Sequence, residues 1–218
     1  MSHTAGTINF MPSNPNPFPT TDVARAAPLF ELPSIHGGTV SLADYRDQKN
    51  VILWFSRGFT CNFCRNHMND MAHNYEAVRA INTEIIQVSP NLHHTAQSYF
   101  PPDTPPFPFI CDPDKRLYAV YGLGDRGVLE ATKNTVISFT APLAQGVRAE
   151  VETIRASWVD TVNRNFLRRL QHHALTAMEQ GVFIIDRQGI IRYQQILGAL
   201  DEIPTAEALV EVTARVCP

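Results

Sequence analysis

Two cysteines three residues apart, Cys61-Asn62-Phe63-Cys64, are the side chains best placed by type and spacing to do chemistry. Thiols at that spacing across the first turn of a helix reach one another, which permits a reversible disulfide. A free cysteine has a pKa of about 8.5, and a helix N-terminus, nearby cations and the C-x-x-C arrangement lower it to about 3.5 to 7.5. Arg57 and Arg65 are the candidate cations. Zinc sites use the same spacing, and His67 and His73 follow. On a helix rising 1.5 Å per residue, however, Cys61 and His73 stand about 18 Å apart, whereas zinc ligands lie within about 2.3 Å of the ion. Redox chemistry is therefore expected here, with no metal and no organic cofactor.

The remaining candidates read as structural. Cys111 ends a short apolar run and is expected to act as a small buried hydrophobe. Cys217, beside the last residue, is expected to be a free thiol on a frayed terminus. His93-His94 and His172-His173 are adjacent pairs, and neighbours on a helix point about 100° apart, so they are expected to be solvated. Ser56 and Thr60 flank the turn and could hydrogen-bond a thiolate or cap backbone N–H groups.

The elements around the pair are legible in the residue pattern. Val51-Ile52-Leu53-Trp54-Phe55 is a continuous apolar run, the pattern of a central strand covered on both faces. Met68, Met71, Tyr75, Val78 and Ile81 recur every three or four residues and predict a helix after the cysteines. Strand and helix are thus joined by the cysteine turn, which meets the positive end of the helix dipole. Further strands are expected at Glu84 to Val88, at Phe109-Ile110-Cys111 and at Val182 to Asp186. The last of these turns through Arg187-Gln188-Gly189 into Ile190 to Tyr193. Gly37-Gly38 suggests a hairpin, with a short turn capped by Ser41 after it. Short helices are expected at Ala96 to Phe100 and Leu117 to Tyr121, and a final one at Thr205 to Val216.

Residues 1–26 belong to a Pro-rich stretch expected to form an extended arm, and the domain proper spans 27–218. Residues from about 125 to 180 interrupt the sheet pattern and read as a helical insertion. Within it Val151, Ile154, Trp158, Val162, Phe166 and Leu170 predict one amphipathic helix, covering a sheet face or joining two subunits.

The run Phe55-Ser56-Arg57-Gly58-Phe59-Thr60-Cys61-Asn62-Phe63-Cys64-Arg65 resembles the active-site turn of peroxiredoxin-like proteins of the alkyl hydroperoxide reductase and thiol-specific antioxidant family. The resemblance continues in Ala27 to Pro33, Val40 to Arg46, Phe107 to Asp114 and Gly181 to Gly189. It implies an α/β, thioredoxin-like fold: a central mixed β-sheet flanked by helices. It also implies a thiol peroxidase acting on hydrogen peroxide or organic hydroperoxides. Laid over the family's Pro-x-x-x-Thr-x-x-Cys, this chain has Arg57 at the proline, Cys61 at the threonine and Cys64 at the peroxidatic cysteine. Cys61 would then resolve the oxidised Cys64, with thioredoxin, glutaredoxin or glutathione as reductant. The family's later arginine falls on Gln180, so Arg57 is a candidate to replace it.

Two other functions fit the same residues. In a thioredoxin-like disulfide oxidoreductase Cys61 would attack and Cys64 resolve. Such enzymes carry a cis-proline before the facing strand, and Ala177-Met178-Glu179-Gln180-Gly181 has none. In a redox sensor, the disulfide would alter the N-terminal arm or the inserted helix.

Composition narrows the partners. The net charge of -3 and the scattered arginines give no basic stripe, which disfavours nucleic acid. No apolar run approaches the roughly 20 residues that cross a bilayer. Met1 to Thr20 has no Lys or Arg and no apolar centre, so a cytoplasmic location is expected. Four cysteines in 218 residues are too few for a staple framework. A homodimer is compatible with the long apolar stripe.

Overall fold

The computed structural model describes residues 24–59, 62–124, 178–198, 201 and 203–217, without the side chains of residues 62 and 63. Residues 1–23 of the expected N-terminal arm, Thr60, Cys61 and the helix through Val151 to Leu170 lie outside the described residues, while Arg25 and Ala26 at the end of that arm pair with the main sheet.

Eight strands and five helices are described. The strands are β1 (Arg25–Ala26), β2 (Glu31–Pro33), β3 (Thr39–Ser41), β4 (Asn50–Phe55), β5 (Thr83–Ser89), β6 (Phe109–Cys111), β7 (Gln180–Ile185) and β8 (Ile190–Leu197). The helices are α1 (Asn62–His73), α2 (Tyr75–Ala80), α3 (His93–Tyr99), α4 (Arg116–Val120) and α5 (Ala206–Val216). Six strands form one sheet in the order β1-β8-β7-β4-β5-β6. Strands β4, β5 and β6 are parallel, while β7 runs antiparallel to both β4 and β8. The sheet is therefore mixed, as the resemblance implied. The apolar runs supply it: all six residues of β4, all seven of β5 and all six of β7 are buried. β2 and β3 form the hairpin signalled by Gly37-Gly38, whose φ values of 89° and 71° suit glycine.

Alternation along β4 assigns the two faces. Ile52 and Trp54 join a core with Met68, Met71, Val78, Ala96, Leu209 and Val212, which is the layer of α1, α2, α3 and α5. Val51, Leu53 and Phe55 join the opposite core with Val40, Leu42, Leu117, Tyr118 and Tyr121. The cysteine turn leaves the middle of the sheet between these layers.

Three local expectations need correction. The single helix read through Ile81 is broken at Asn74: α1 ends at His73, and Asn74 Nδ2 bonds back to Asp70. A side chain that returns to its own backbone competes with the helical ladder. Ser41 precedes a 3-10 turn at Leu42–Tyr45, but its side chain makes no cap bond. β7 begins at Gln180, two residues earlier than its apolar run suggests, because a buried glutamine and a glycine precede Val182. Thr205, by contrast, caps α5 by accepting from Ala208 N at 3.3 Å.

Candidate functional site

β4 delivers Phe55 to the centre of the sheet, and the backbone then turns through Ser56, Arg57, Gly58 and Phe59 toward α1. A dense polar network fixes that turn. Ser56 Oγ donates to the Val88 carbonyl at 3.2 Å and accepts from Gly58 N and Gln87 Nε2, each at 3.3 Å. Ser56 therefore serves the backbone rather than a sulfur. Asn91 Oδ1 accepts from Phe59 N at 3.2 Å and from Ser89 Oγ at 2.6 Å. From the opposite layer, the Tyr118 hydroxyl donates to the Ser56 carbonyl at 2.5 Å, with the Val88 carbonyl 3.1 Å away. Gly58 has φ of 100°, and a Cβ there would stand 2.5 Å from Asn91 Oδ1, so glycine is required twice over.

Cys64 is the third residue of α1, within the first turn, where backbone N–H groups lack intrahelical acceptors and the dipole favours negative charge. Its side chain is 1% exposed. Arg57 is also buried, at 4%, which excludes a surface ion pair. Between them lies Gln180, fully buried at the start of β7. One terminal atom of its amide is 2.6 Å from Arg57 Nη2 and 3.2 Å from Arg57 Nε. The other is 3.3 Å from Cys64 Sγ. The slot that carries an arginine in the resembled family thus holds an amide that joins the candidate arginine to the candidate nucleophile.

The rest of α1 anchors the site. Arg65 Nη1 donates to the Phe59 carbonyl at 3.1 Å, tying the helix to the turn. His67 is buried edge-on against Trp54, with ring centroids 4.4 Å apart and planes at 84°. Burial lowers its pKa from 6.5 to about 4, against a smaller opposing effect from Asp70, so at neutral pH it is an uncharged core side chain. Asp70 accepts from Ala206 N at 2.8 Å and so docks α5 onto the helix that carries Cys64.

Cys111 is buried at the end of β6, and burial pushes its thiol up to about 12. It fits the small-hydrophobe role. Cys217 is half-buried on the core beneath α5, and its N–H bonds Thr213 O at 2.9 Å, so it is held rather than frayed. His94 is exposed as expected, whereas His93 Nε2 is 3.1 Å from the Ser34 carbonyl. Among the described residues no group of three His, Cys, Asp or Glu side chains could hold a metal ion. Among them, too, no helix is long and apolar enough to cross a membrane.

The sequence reading placed Gln180 only in the family's arginine slot and did not include Tyr118 or Asn91. A glutamine two residues before an apolar run was the one local signal for Gln180. Tyr118 and Asn91 act through partners about 30 to 60 residues away in sequence, which no local pattern reveals.

Comparison with known proteins agrees with this geometry. The family model described as AhpC/TSA matches residues 23–194. A peroxiredoxin-named protein of Mycobacterium tuberculosis is 28% identical over 115 residues, which are 52% of this chain and 73% of that one. Peroxiredoxin Bcp of Bacillus subtilis is 26% identical over 98 residues, 45% of this chain and 62% of its own. The reduced 2-Cys peroxiredoxin of Plasmodium vivax superposes with a TM-score of 0.58 over 90% of this chain and 96% of that one, at 14% identity, a likeness of fold. With a sheet of this order, a cysteine at the mouth of α1 and a family match across most of the domain, the chain belongs to the AhpC/TSA family as a peroxiredoxin-like protein of the thioredoxin superfamily.

Proposed function

We propose that the protein is a thiol peroxidase in which Cys64 is the nucleophile. The observation that carries this is the contact of Cys64 Sγ with an amide held by the buried Arg57 guanidinium, at the positive end of α1. A helix N-terminus, a fixed cation and a nearby hydrogen-bond donor all favour the charged form of a thiol. They act against burial, which favours the neutral form.

The Cys64 thiolate attacks one oxygen of the peroxide, forming an S–O bond as the O–O bond breaks. The departing oxygen takes up a proton and leaves as water from hydrogen peroxide, or as an alcohol from an organic hydroperoxide. Cys64 becomes a sulfenic acid. Arg57, with five donors and a permanent charge, suits the charge that develops on the departing oxygen. Cys61, three residues earlier, then attacks the sulfenic sulfur; a disulfide forms and water leaves. Thioredoxin, glutaredoxin or glutathione is the class of reductant that returns both sulfurs to thiols. Burial of Cys64 also favours a small substrate, since a peroxide group needs far less room than the disulfide of another protein.

Peroxide consumption by the wild type, Cys61→Ser and Cys64→Ser with a dithiol reductant tests this. Cys64→Ser should abolish turnover, while Cys61→Ser should keep the first stoichiometric reduction of peroxide and lose turnover with that reductant. Full activity in Cys64→Ser would refute the assignment. Insulin reduction without peroxide consumption would instead select a disulfide oxidoreductase.

A further inference from the structure

An amide presents a donor at one end and an acceptor at the other, and only its neighbours decide which end faces where. At Gln180 the neighbours are unequal. Arg57 Nη2 and Nε, at 2.6 and 3.2 Å, can only donate, so the atom facing them is the carbonyl oxygen. The terminal atom 3.3 Å from Cys64 Sγ is therefore the NH2 group. With a carbonyl turned to the sulfur, a neutral thiol would be the matched partner; with an NH2 turned to it, the matched partner is a thiolate.

We infer that Gln180 is a catalytic residue of this chain: its amide, locked in one orientation by Arg57, donates a hydrogen bond to the Cys64 thiolate. Arg57 acts on the sulfur through this amide as well as by its charge. The position is well defined, because Gln180 is fully buried in β7 and Gly181 beside it is confined; a Cβ there would meet Phe183 Cε2 at 2.8 Å and Leu123 Cδ2 at 2.9 Å. The charged and titratable groups around Cys64 agree with the assignment. Arg57 approaches from the turn, and Arg65 and His67 share α1 but face the Phe59 carbonyl and Trp54. From α4, Tyr118 keeps its proton, its pKa raised well above 10 by burial and then by the charge of Cys64. The inference deepens the peroxidase reading and rests on Cys64 being its reactive sulfur.

The test is a pH titration of Cys64 by ultraviolet thiolate absorbance, taken as the difference between each protein and its Cys64→Ser counterpart. Gln180→Met keeps the length and removes the donor; Gln180→Glu keeps the shape and the Arg57 partner but turns an anionic oxygen toward the sulfur. Both should raise the Cys64 pKa, the first by about one unit and the second by more, since loss of a donor and a like charge add. Peroxide reduction at neutral pH should fall at least as far as the thiolate fraction does, about tenfold per unit. An unchanged pKa in the folded variants would overturn the inference. A rise in Gln180→Glu alone would also overturn it, because added charge and not a lost donor would then be the cause. Should Gln180→Met fail to fold, Gln180→Asn, whose shorter amide cannot span both partners, takes its place with the same expected rise. The titration does not depend on turnover: a wild type that consumes no peroxide yet shows these shifts would sink the proposed function and leave the inference standing.

Discussion

Arg57 illustrates what a single side chain reveals once its surroundings are known. It follows an apolar strand, a place equally open to a surface side chain, yet it is buried and its guanidinium bonds the Gln180 amide beside Cys64. Replacing it with alanine removes a fixed cation and frees the Gln180 amide to rotate. Arg57→Ala should therefore lower peroxide reduction by about 10²-fold, in the range for loss of one preorganised electrostatic partner, and raise the Cys64 pKa. Stopped-flow oxidation at neutral pH checks this, and an unaltered rate would show that the guanidinium is architectural. Cys111 gives the opposite expectation. Burial pushes its thiol up to about 12, so it holds no useful thiolate near neutral pH. Cys111→Ala should leave the peroxide rate within about twofold of wild type and cost about 1 kcal/mol in denaturant unfolding, the scale of a small core truncation. Cys64 and Arg57 were readable because spacing after a strand is a local signal. Gln180 was legible only as the family's arginine slot, because the two side chains it contacts are more than 100 residues away in sequence.

The element that makes the candidate site is the turn between β4 and α1, whose residues 56–59 are held by their own side chains and backbone together with partners on β5 and just after it. Gly58 is the sharpest example. Gly58→Ala would put a side chain on a left-handed backbone and against Asn91 Oδ1, costing about 2 kcal/mol. Because the Phe59 N–H to Asn91 bond is the one disturbed, peroxide reduction should fall together with the melting temperature. A variant that melted like wild type would contradict the role given to this glycine. Asp112 secures the opposite layer, its carboxylate accepting from the N–H groups of Arg116, Leu117 and Tyr118 at 3.1, 2.8 and 3.3 Å. Periodicity located both helices near these residues but joined α1 to α2, since apolar spacing continues across Asn74 while the backbone does not. Ends set by side-chain bonds, such as Asn74 to Asp70, are invisible to periodicity.

At the scale of the molecule, the sheet was legible because its central strands are buried on both faces and carry apolar segments, Val51 to Phe55, Ile85-Ile86 and Val182 to Ile185. Of the polar residues they carry, Gln87 and Ser89 on β5 and Gln180 on β7 bond at the site, whereas Asn50 on β4 and Thr83 and Glu84 on β5 sit at the opposite end of the sheet. Burial has a further consequence through His67. The folded pKa, about 4, lies below the unfolded value of 6.5, so above pH 6.5 both states are neutral and this group leaves stability unchanged. Between about pH 6.5 and 4 the unfolded chain takes up a proton that the folded chain refuses, and stability falls by about 3 kcal/mol in total. Denaturant midpoints across that range should show the loss, and His67→Phe should remove most of it; an identical pH dependence in the variant would place the loss elsewhere.

Trapping the oxidation product identifies the reacting sulfur without relying on turnover. The Cys61→Ser protein, given one equivalent of peroxide and a sulfenic-acid-specific carbon nucleophile, is digested and analysed by mass spectrometry. With Cys64 as the nucleophile the expected result is a single adduct on Cys64 and none on Cys111 or Cys217. An adduct confined to Cys111 or Cys217, or Cys64 recovered unmodified while the Cys64→Ser protein forms the adduct on Cys61, would contradict it.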